Sequence, residues 1–182
     1  IGCGMDSRIH RVGTNGHTWF DVDFPDVMQE RKLYYQEDAF YHMIESDARE
    51  NAWIPALPES KNAIIVMEGV TMYFKTEELK QLLKDLIKHF NRVNILMDCY
   101  TDFAAKASKY KNPINEVGVT EVYGVDDPRA LEEGTGLSYV KEHNMTPDEL
   151  INDLTGLEKA VYKKVFAGSF SKKMYRMYEY KG

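Results

Sequence analysis

The run Ala63-Ile64-Ile65-Val66-Met67 narrows the folds open to this chain more than any other segment. Five consecutive apolar residues, closed by Glu68-Gly69, do not alternate between core and solvent, so they suit a strand covered on both faces in a parallel sheet. The run is far shorter than the ~18 residues a membrane-crossing helix needs, and no bilayer crossing is expected. A helical pattern follows. Thr76 is a good N-cap, Glu77 and Glu78 suit the positive helix start, and Leu79, Leu82, Leu83, Leu86, Ile87 and Phe90 keep 3.6-residue spacing. Val93-Asn94-Ile95-Leu96-Met97 then gives a second strand ending at Asp98. Apolar strands alternating with an amphipathic helix predict an open α/β fold with a largely parallel sheet and helices on both faces.

The flanking segments extend this pattern. Thr18-Trp19-Phe20-Asp21-Val22-Asp23 reads as a strand, and Pro25 with Asp26 opens a helix carrying Val27, Met28, Arg31 and Lys32. A second helical stretch is expected from Glu37 to Glu45, then irregular chain through Pro55 and Pro58. Residues 101–136 read as a long connection over the sheet edge, functional by its length, with helix-compatible residues near Phe103 to Lys109. Thr146-Pro147-Asp148-Glu149 is a capping box with Pro at the first helical position. Leu157, Ala160, Val161 and Val165 predict a further helix ending at Gly168, and Lys173 to Tyr180 a closing strand. No repeat or linker divides the chain, so residues 1–182 read as one domain.

Composition excludes several functions. A formal charge of −6 disfavours general nucleic-acid binding, which rests on phosphate neutralisation by Lys and Arg. The basic and aromatic tail Lys172-Lys173-Met174-Tyr175-Arg176 reads as a last strand with snorkelling cations. Only Cys3 and Cys99 are present, so a disulfide framework is not expected and a reducing, cytoplasmic setting is. The histidines at 10, 17, 42, 89 and 143 show no ligand pairing, so no metal site is expected. Neither a Gly-x-Ser-x-Gly elbow nor a phosphate-binding Walker loop occurs.

The strongest candidate site is Gly2-Cys3-Gly4-Met5-Asp6. Two glycines around a small residue let the backbone turn tightly and approach a ligand that a Cβ atom would push away, although the same turn can form with no ligand. After a strand, such a turn lies at the carboxyl edge of the sheet, where open α/β folds bind cofactors. Asp23 ends the next strand about twenty residues on, where an acid can accept the hydroxyls of an adenosine ribose; it can equally cap the helix at Pro25. Glycines plus acid fit either a nicotinamide dinucleotide or S-adenosylmethionine. A dinucleotide fingerprint wants a third glycine near Ser7, where Ser7 and Arg8 stand instead. Asp6 would set negative charge near a pyrophosphate but is at ease beside a sulfonium and an ammonium group, which favours S-adenosylmethionine.

Four motifs, "GCGMDSRIHRV", "WFDVDFPDV" with "RKLYY", "ESDARENAWI" and "MEGVTMYFKTEELKQLL", resemble in order and spacing the leucine carboxyl methyltransferase family. That family also contains polyketide O-methyltransferases of the tetracenomycin type. The match covers residues 2–83; from Thr101 onward only the general layout is similar. The resemblance implies the Rossmann-like class I methyltransferase fold, a mostly parallel seven-stranded sheet with one antiparallel strand near its carboxyl end. It implies that Gly2, Cys3, Gly4, Asp6, Arg8 and Gly69 surround the cofactor, that Asp23 holds the ribose, that Asp47 and Ala48 flank the adenine, and that Glu68 faces the cofactor.

Each residue has a plainer reading. Asp47 can be a loop acid. Glu68 is costly at the sheet edge unless paired, and a cationic ligand would pair it. Tyr73 is the candidate catalytic residue, lining the acceptor pocket, or is packing before the helix. Arg8 orients a carboxylate or is a solvated first-turn side chain, and Cys3 is a spacer. The expected activity is S-adenosylmethionine-dependent O-methyl transfer to a carboxylate or hydroxyl of a small molecule such as a polyketide-like metabolite. Alternatives are methylation of a protein carboxyl terminus and cofactor binding without turnover. Aligned by motif, the chain lacks the family's first strand and N-terminal helical segment, so a longer polypeptide of ~250 or more residues is expected. The oligomeric state is open.

Overall fold

The computed structural model describes residues 1–59, 62–108, 121–146, 148–165 and 173–182. Helix α1 (Arg8–Val12) follows the glycine turn, and strand β1 (Trp19–Asp23) leads into helix α2 (Pro25–Arg31) and strand β2 (Tyr41–Glu45). Strand β3 (Ala63–Met67), helix α3 (Thr76–His89), strand β4 (Val93–Tyr100) and helix α4 (Asp102–Ala107) come next. Strand β5 (Ser138–His143), helices α5 (Asp148–Asn152) and α6 (Gly156–Val165) and strand β6 (Tyr175–Lys181) end the chain.

Among the described residues six strands form two sheets, a parallel pair β1-β2 and a four-stranded sheet in the order β3-β4-β6-β5. β3 and β4 are parallel, whereas β6 runs antiparallel to both β4 and β5, which places the expected antiparallel strand.

Helix α3 carries the core. Its Leu79, Leu82, Leu83 and Leu86 are buried, packed in one cluster with Ile65 and Met67 of β3 and Ile95 and Met97 of β4. The first helical residue is Thr76 rather than the cap; the Lys75 amide donates to Glu78 Oε2 at 2.9 Å, so Glu78 closes the first turn from within. Burying four leucines contributes on the order of 6–12 kcal/mol before chain entropy is counted.

Three expectations are corrected. Residues 41–45 form a strand rather than the end of a helix: Trp19 to Asp23 pair in register with Tyr41 to Glu45, and cross-strand pairing outweighs a short helical pattern. β3 is not covered on both faces, since Ile64 is 81% exposed. β5 was not foreseen because Ser138-Tyr139-Val140-Lys141-Glu142-His143 is mostly polar and exposed, and its pairing with β6 is what makes it a strand. The 101–136 connection holds α4, as expected near Phe103, and a 3-10 turn at Pro128–Leu131; its residues 109–120 lie outside the described ones, as do Pro147, Gly168 and Lys172. No helix among the described residues is long and apolar enough to cross a membrane.

Candidate cofactor site

The glycine turn sits where β1 and β3 come together. The Ile1 amino group donates to Val66 O at 2.9 Å and the Gly2 amide to Val22 O at 2.8 Å, so the turn is tied to both strands. Gly2 has φ +67° and Gly4 φ +50°, a left-handed backbone that favours glycine. Their surroundings differ. A Cβ on Gly2 would stand 2.6 Å from Val70 Cβ, so Gly2 is required by packing, whereas a Cβ on Gly4 would meet nothing within 4 Å. A side chain at Gly4, or at Gly69 with φ +70°, would meet open space, so these two positions favour glycine through their backbone alone.

Asp23 secures this turn. Its Oδ2 accepts from the Gly4 amide at 2.7 Å and its Oδ1 from the Phe24 amide at 2.8 Å. An ionised carboxylate offers about four lone-pair positions, so both oxygens retain capacity for ribose hydroxyls. Helix α2 has Phe24 as its N-cap and no side-chain cap, so Asp23 ties the turn rather than capping that helix as expected.

A buried cation clamps the turn from below. Arg31, which α2 points into the core, donates to Gly4 O and Asp6 O at 2.9 Å each and to Asp21 Oδ2 at 2.6 Å. Tyr41 also donates to Asp21 Oδ2, at 2.8 Å, and accepts from Arg31 Nε at 3.0 Å. Sequence reasoning placed Arg31 on the helix without a role; the signal available was a charged residue one turn from buried Met28.

Charge at the mouth is balanced within the protein. Arg8 Nη2 lies 2.5 Å from Glu68 Oε2 and 3.1 Å from Asp6 Oδ2, and Arg11 lies 2.8 Å from Asp6. The pair that Glu68 was expected to find in a cationic ligand is supplied by Arg8, and its side chain is half exposed rather than buried. With two arginines beside it, Asp6 carries no uncompensated charge and does not by itself select a cationic ligand. Burial and the nearby Asp21 push the Cys3 thiol up to about 12, which agrees with a spacer rather than a nucleophile.

Gly2, Cys3, Asp6, Arg8, Glu68, Gly69 and Asp98 share a cavity of about 1660 Å³ that continues between β1 and β3 along Phe20, Val22, Ile64 and Val66. Gly4, Asp23, Asp47, Ala48 and Tyr73 lie outside its lining. Asp47 caps the 3-10 turn Ala48–Glu50 and pairs with Arg49 at 2.5 Å, which holds its carboxyl below the usual range. The plainer reading of Asp47 accounts for these contacts. Ala48 is buried in the main core beside Val22. Tyr73, half-buried in a 3-10 turn after Gly69, packs in a smaller cluster with Met72, Tyr100, Met174 and Tyr175. Asp98 was taken only as a strand end; the acid closing a buried strand was the signal that could have found it. No group of three or more metal-ligating side chains occurs among the described residues.

Comparison with known proteins agrees with this geometry. The model of the leucine carboxyl methyltransferase family matches residues 1–87. Over 163 residues the chain is 29% identical to the tetracenomycin polyketide synthesis O-methyltransferase TcmP of Streptomyces glaucescens, covering 88% of this chain and 60% of that protein. It is 28% identical over 154 residues to the S-adenosyl-L-methionine-dependent methyltransferase dpfgK of Gibberella zeae, covering 76% and 52% respectively. The chain therefore spans between half and three-fifths of the length of these curated relatives. Among solved structures, LepI in complex with S-adenosylmethionine superposes with a TM-score of 0.58 at 11% identity, over all of this chain and 41% of that one, which establishes a shared Rossmann-like fold.

Proposed function

We propose, from the match of residues 1–87 to the leucine carboxyl methyltransferase family, that this protein is an S-adenosylmethionine-dependent O-methyltransferase acting on a small molecule. One observation carries the reading: a left-handed glycine turn at Gly2 and Gly4, held by Asp23 at the carboxyl end of β1 and lining the cavity at Gly2 and Cys3. The residues present fit the cofactor, with Gly2 to Gly4 and Gly69 admitting its amino-acid portion, Asp23 its ribose, and Asp47 and Ala48 the adenine side. Glu68 and Arg8 answer each other's charge, so an α-ammonium and an α-carboxylate would bind there by exchanging with that ion pair. Relatives named as methyltransferases, one of them an O-methyltransferase of polyketide synthesis, support the same class.

The bound cofactor supplies an electrophilic methyl group on a sulfonium. The protein holds the acceptor oxygen in line with that methyl carbon, and such positioning is worth ~7–11 kcal/mol when the reacting atoms sit about 3–3.5 Å apart. Burial raises the Tyr73 hydroxyl above its ordinary value, so Tyr73 serves as a hydrogen-bond donor that orients the acceptor rather than as a base. The domain of residues 1–182 acts in the cytoplasm on this reading, supported by its two free thiols.

Calorimetry with S-adenosylhomocysteine and with NAD tests the cofactor class, and binding of NAD alone overturns it. Incubation with methyl-labelled cofactor and small-molecule extract then reads the acceptor. Label transferred only to a protein carboxyl terminus, or cofactor binding without transfer to any phenol or carboxylate, would replace the small-molecule reading.

A further inference from the structure

Two sets of residues wall the cavity at the carboxyl edge of the sheet. Gly2, Cys3, Glu68 and Gly69 come from the segment that the family model matches. Met145, Tyr162, Met174 and Tyr175 line the same cavity and all lie beyond residue 87, where that match ends. The cofactor reading uses the first set and leaves the second without a task.

Topology brings the second set to the first. β3 and β4 are parallel and β6 is antiparallel to β4, so the start of β6 lies at the edge where β3 gives way to Glu68-Gly69 and β4 ends at Tyr100. β5 runs antiparallel to β6 with His143 opposite Met177, so Met145 follows just beyond that edge. The start of β6 is held firmly. The Thr101 amide donates to the Met174 carbonyl at 3.1 Å and the Thr101 hydroxyl to the Lys173 carbonyl at 2.5 Å. The Tyr175 ring meets the Tyr100 ring edge to face with centroids 4.5 Å apart, and Tyr100 is itself buried in a cluster with Met72. Tyr175 is therefore a braced ring at the cavity wall, whereas Met145 is 43% exposed and free to adapt.

Two aromatic rings and two thioethers make a flat, polarisable surface. Ring faces and sulfur gain by contact with another π-system, and the unbranched methionines follow the outline of what they cover. None of the four carries a formal charge. The set therefore reads the body of a molecule rather than its reacting oxygen, and it accommodates a carboxylate or a hydroxyl acceptor alike.

Building on the methyltransferase reading, we propose that Met145, Tyr162, Met174 and Tyr175 seat a planar, apolar ring system in the methyl acceptor, with Tyr175 as the specificity-determining residue. The glycine turn holds the cofactor, and the seat beyond residue 87 selects the acceptor by flatness.

The test uses 2-naphthol and 2-naphthoate with their saturated, non-planar counterparts decahydro-2-naphthol and decahydro-2-naphthoate, titrated by calorimetry at pH 7 into protein saturated with S-adenosylhomocysteine. Wild type is expected to prefer each flat probe over its saturated counterpart by roughly 3- to 10-fold, whichever oxygen group it carries. Tyr175→Leu should lose that preference with S-adenosylhomocysteine affinity unchanged, and Tyr175→Phe, which keeps the ring, should retain it. Met145→Ala, at an exposed position, leaves the fold intact and should weaken both flat probes; it decides the matter if Tyr175→Leu does not fold. Wild-type preference persisting in Tyr175→Leu and Met145→Ala, its loss in Tyr175→Phe, or no binding of either flat probe to wild type overturns the seat alone, provided S-adenosylhomocysteine binds. Failure of wild type to bind S-adenosylhomocysteine overturns this inference together with the reading beneath it.

Discussion

The Arg31 guanidinium lies 2.6 Å from the Asp21 carboxylate in a fully buried pair, and the same guanidinium holds the carbonyls of Gly4 and Asp6. Helix α2, strand β1 and the glycine turn are therefore joined through one side chain, stacked over the Tyr35 ring at 3.9 Å. Removing one partner leaves the other charged and buried, which costs about 3–5 kcal/mol. Arg31→Met is thus expected to lower unfolding stability by that amount in urea titration. Pairing it with Asp21→Asn should restore part of the loss, because the double variant leaves no lone buried charge; equal stability of the single and double variants would refute the account.

Asp23 is predicted to act on the cofactor more than on the fold. Asp23→Ala removes the acceptor of the Gly4 amide and of the ribose hydroxyls, while both ends of β1 keep their pairing with β2. Hydrogen bonds to a charged group are worth about 1.5–3 kcal/mol, so S-adenosylhomocysteine affinity should fall roughly 10- to 100-fold. Leaving the Gly4 and Phe24 amides without this acceptor should also lower thermal stability modestly, so affinity read by calorimetry on the folded variant decides, and unchanged affinity would remove Asp23 from the site.

The two turn glycines differ in what a side chain would meet. Gly2→Ala meets Val70 Cβ at 2.6 Å in addition to its left-handed backbone, whereas Gly4→Ala meets open space and carries only the backbone term. Gly4→Ala should cost about 1 kcal/mol of stability and Gly2→Ala clearly more. Gly2 lines the cavity and Gly4 does not, so affinity for S-adenosylhomocysteine per folded molecule should also fall further in Gly2→Ala than in Gly4→Ala. Comparable melting temperatures for the two variants would contradict the packing argument.

What was legible in the sequence follows from how local each signal is. The leucine spacing of α3, the apolar runs of β3 and β4 and the pairing of the glycine turn with Asp23 are each readable within a few residues or by spacing, and the structure has all of them. β2 and β5 were not readable, because Tyr41 to Glu45 and Ser138 to His143 become strands only through partners distant in sequence. The same limit hid the charge balance. Glu68 and Arg8 are sixty residues apart, so the ion pair that answers Glu68 has no local trace. Asp98 followed an apolar run in plain view, with β4 continuing past it to Tyr100, but its burial depends on β6 arriving from the other end of the chain.

Asp98 also predicts a pH dependence of stability. Its carboxyl is raised from an ordinary 3.8 to about 6 by burial, so between these values the folded protein holds a proton that the unfolded chain has released. Stability from this group is present below about pH 4 and is lost as pH rises through about 6, the opposite of a salt-bridged acid. A two-unit shift corresponds to about 3 kcal/mol as an upper figure for this buried site. Asp98→Asn keeps the Gly69 contact and carries no charge, so it should be more stable than wild type at pH 8 and nearly equal at pH 4.5. Urea titrations at the two pH values check this directly. A variant that is less stable at pH 8 would mean that the ionised carboxylate is held by the fold rather than tolerated by it.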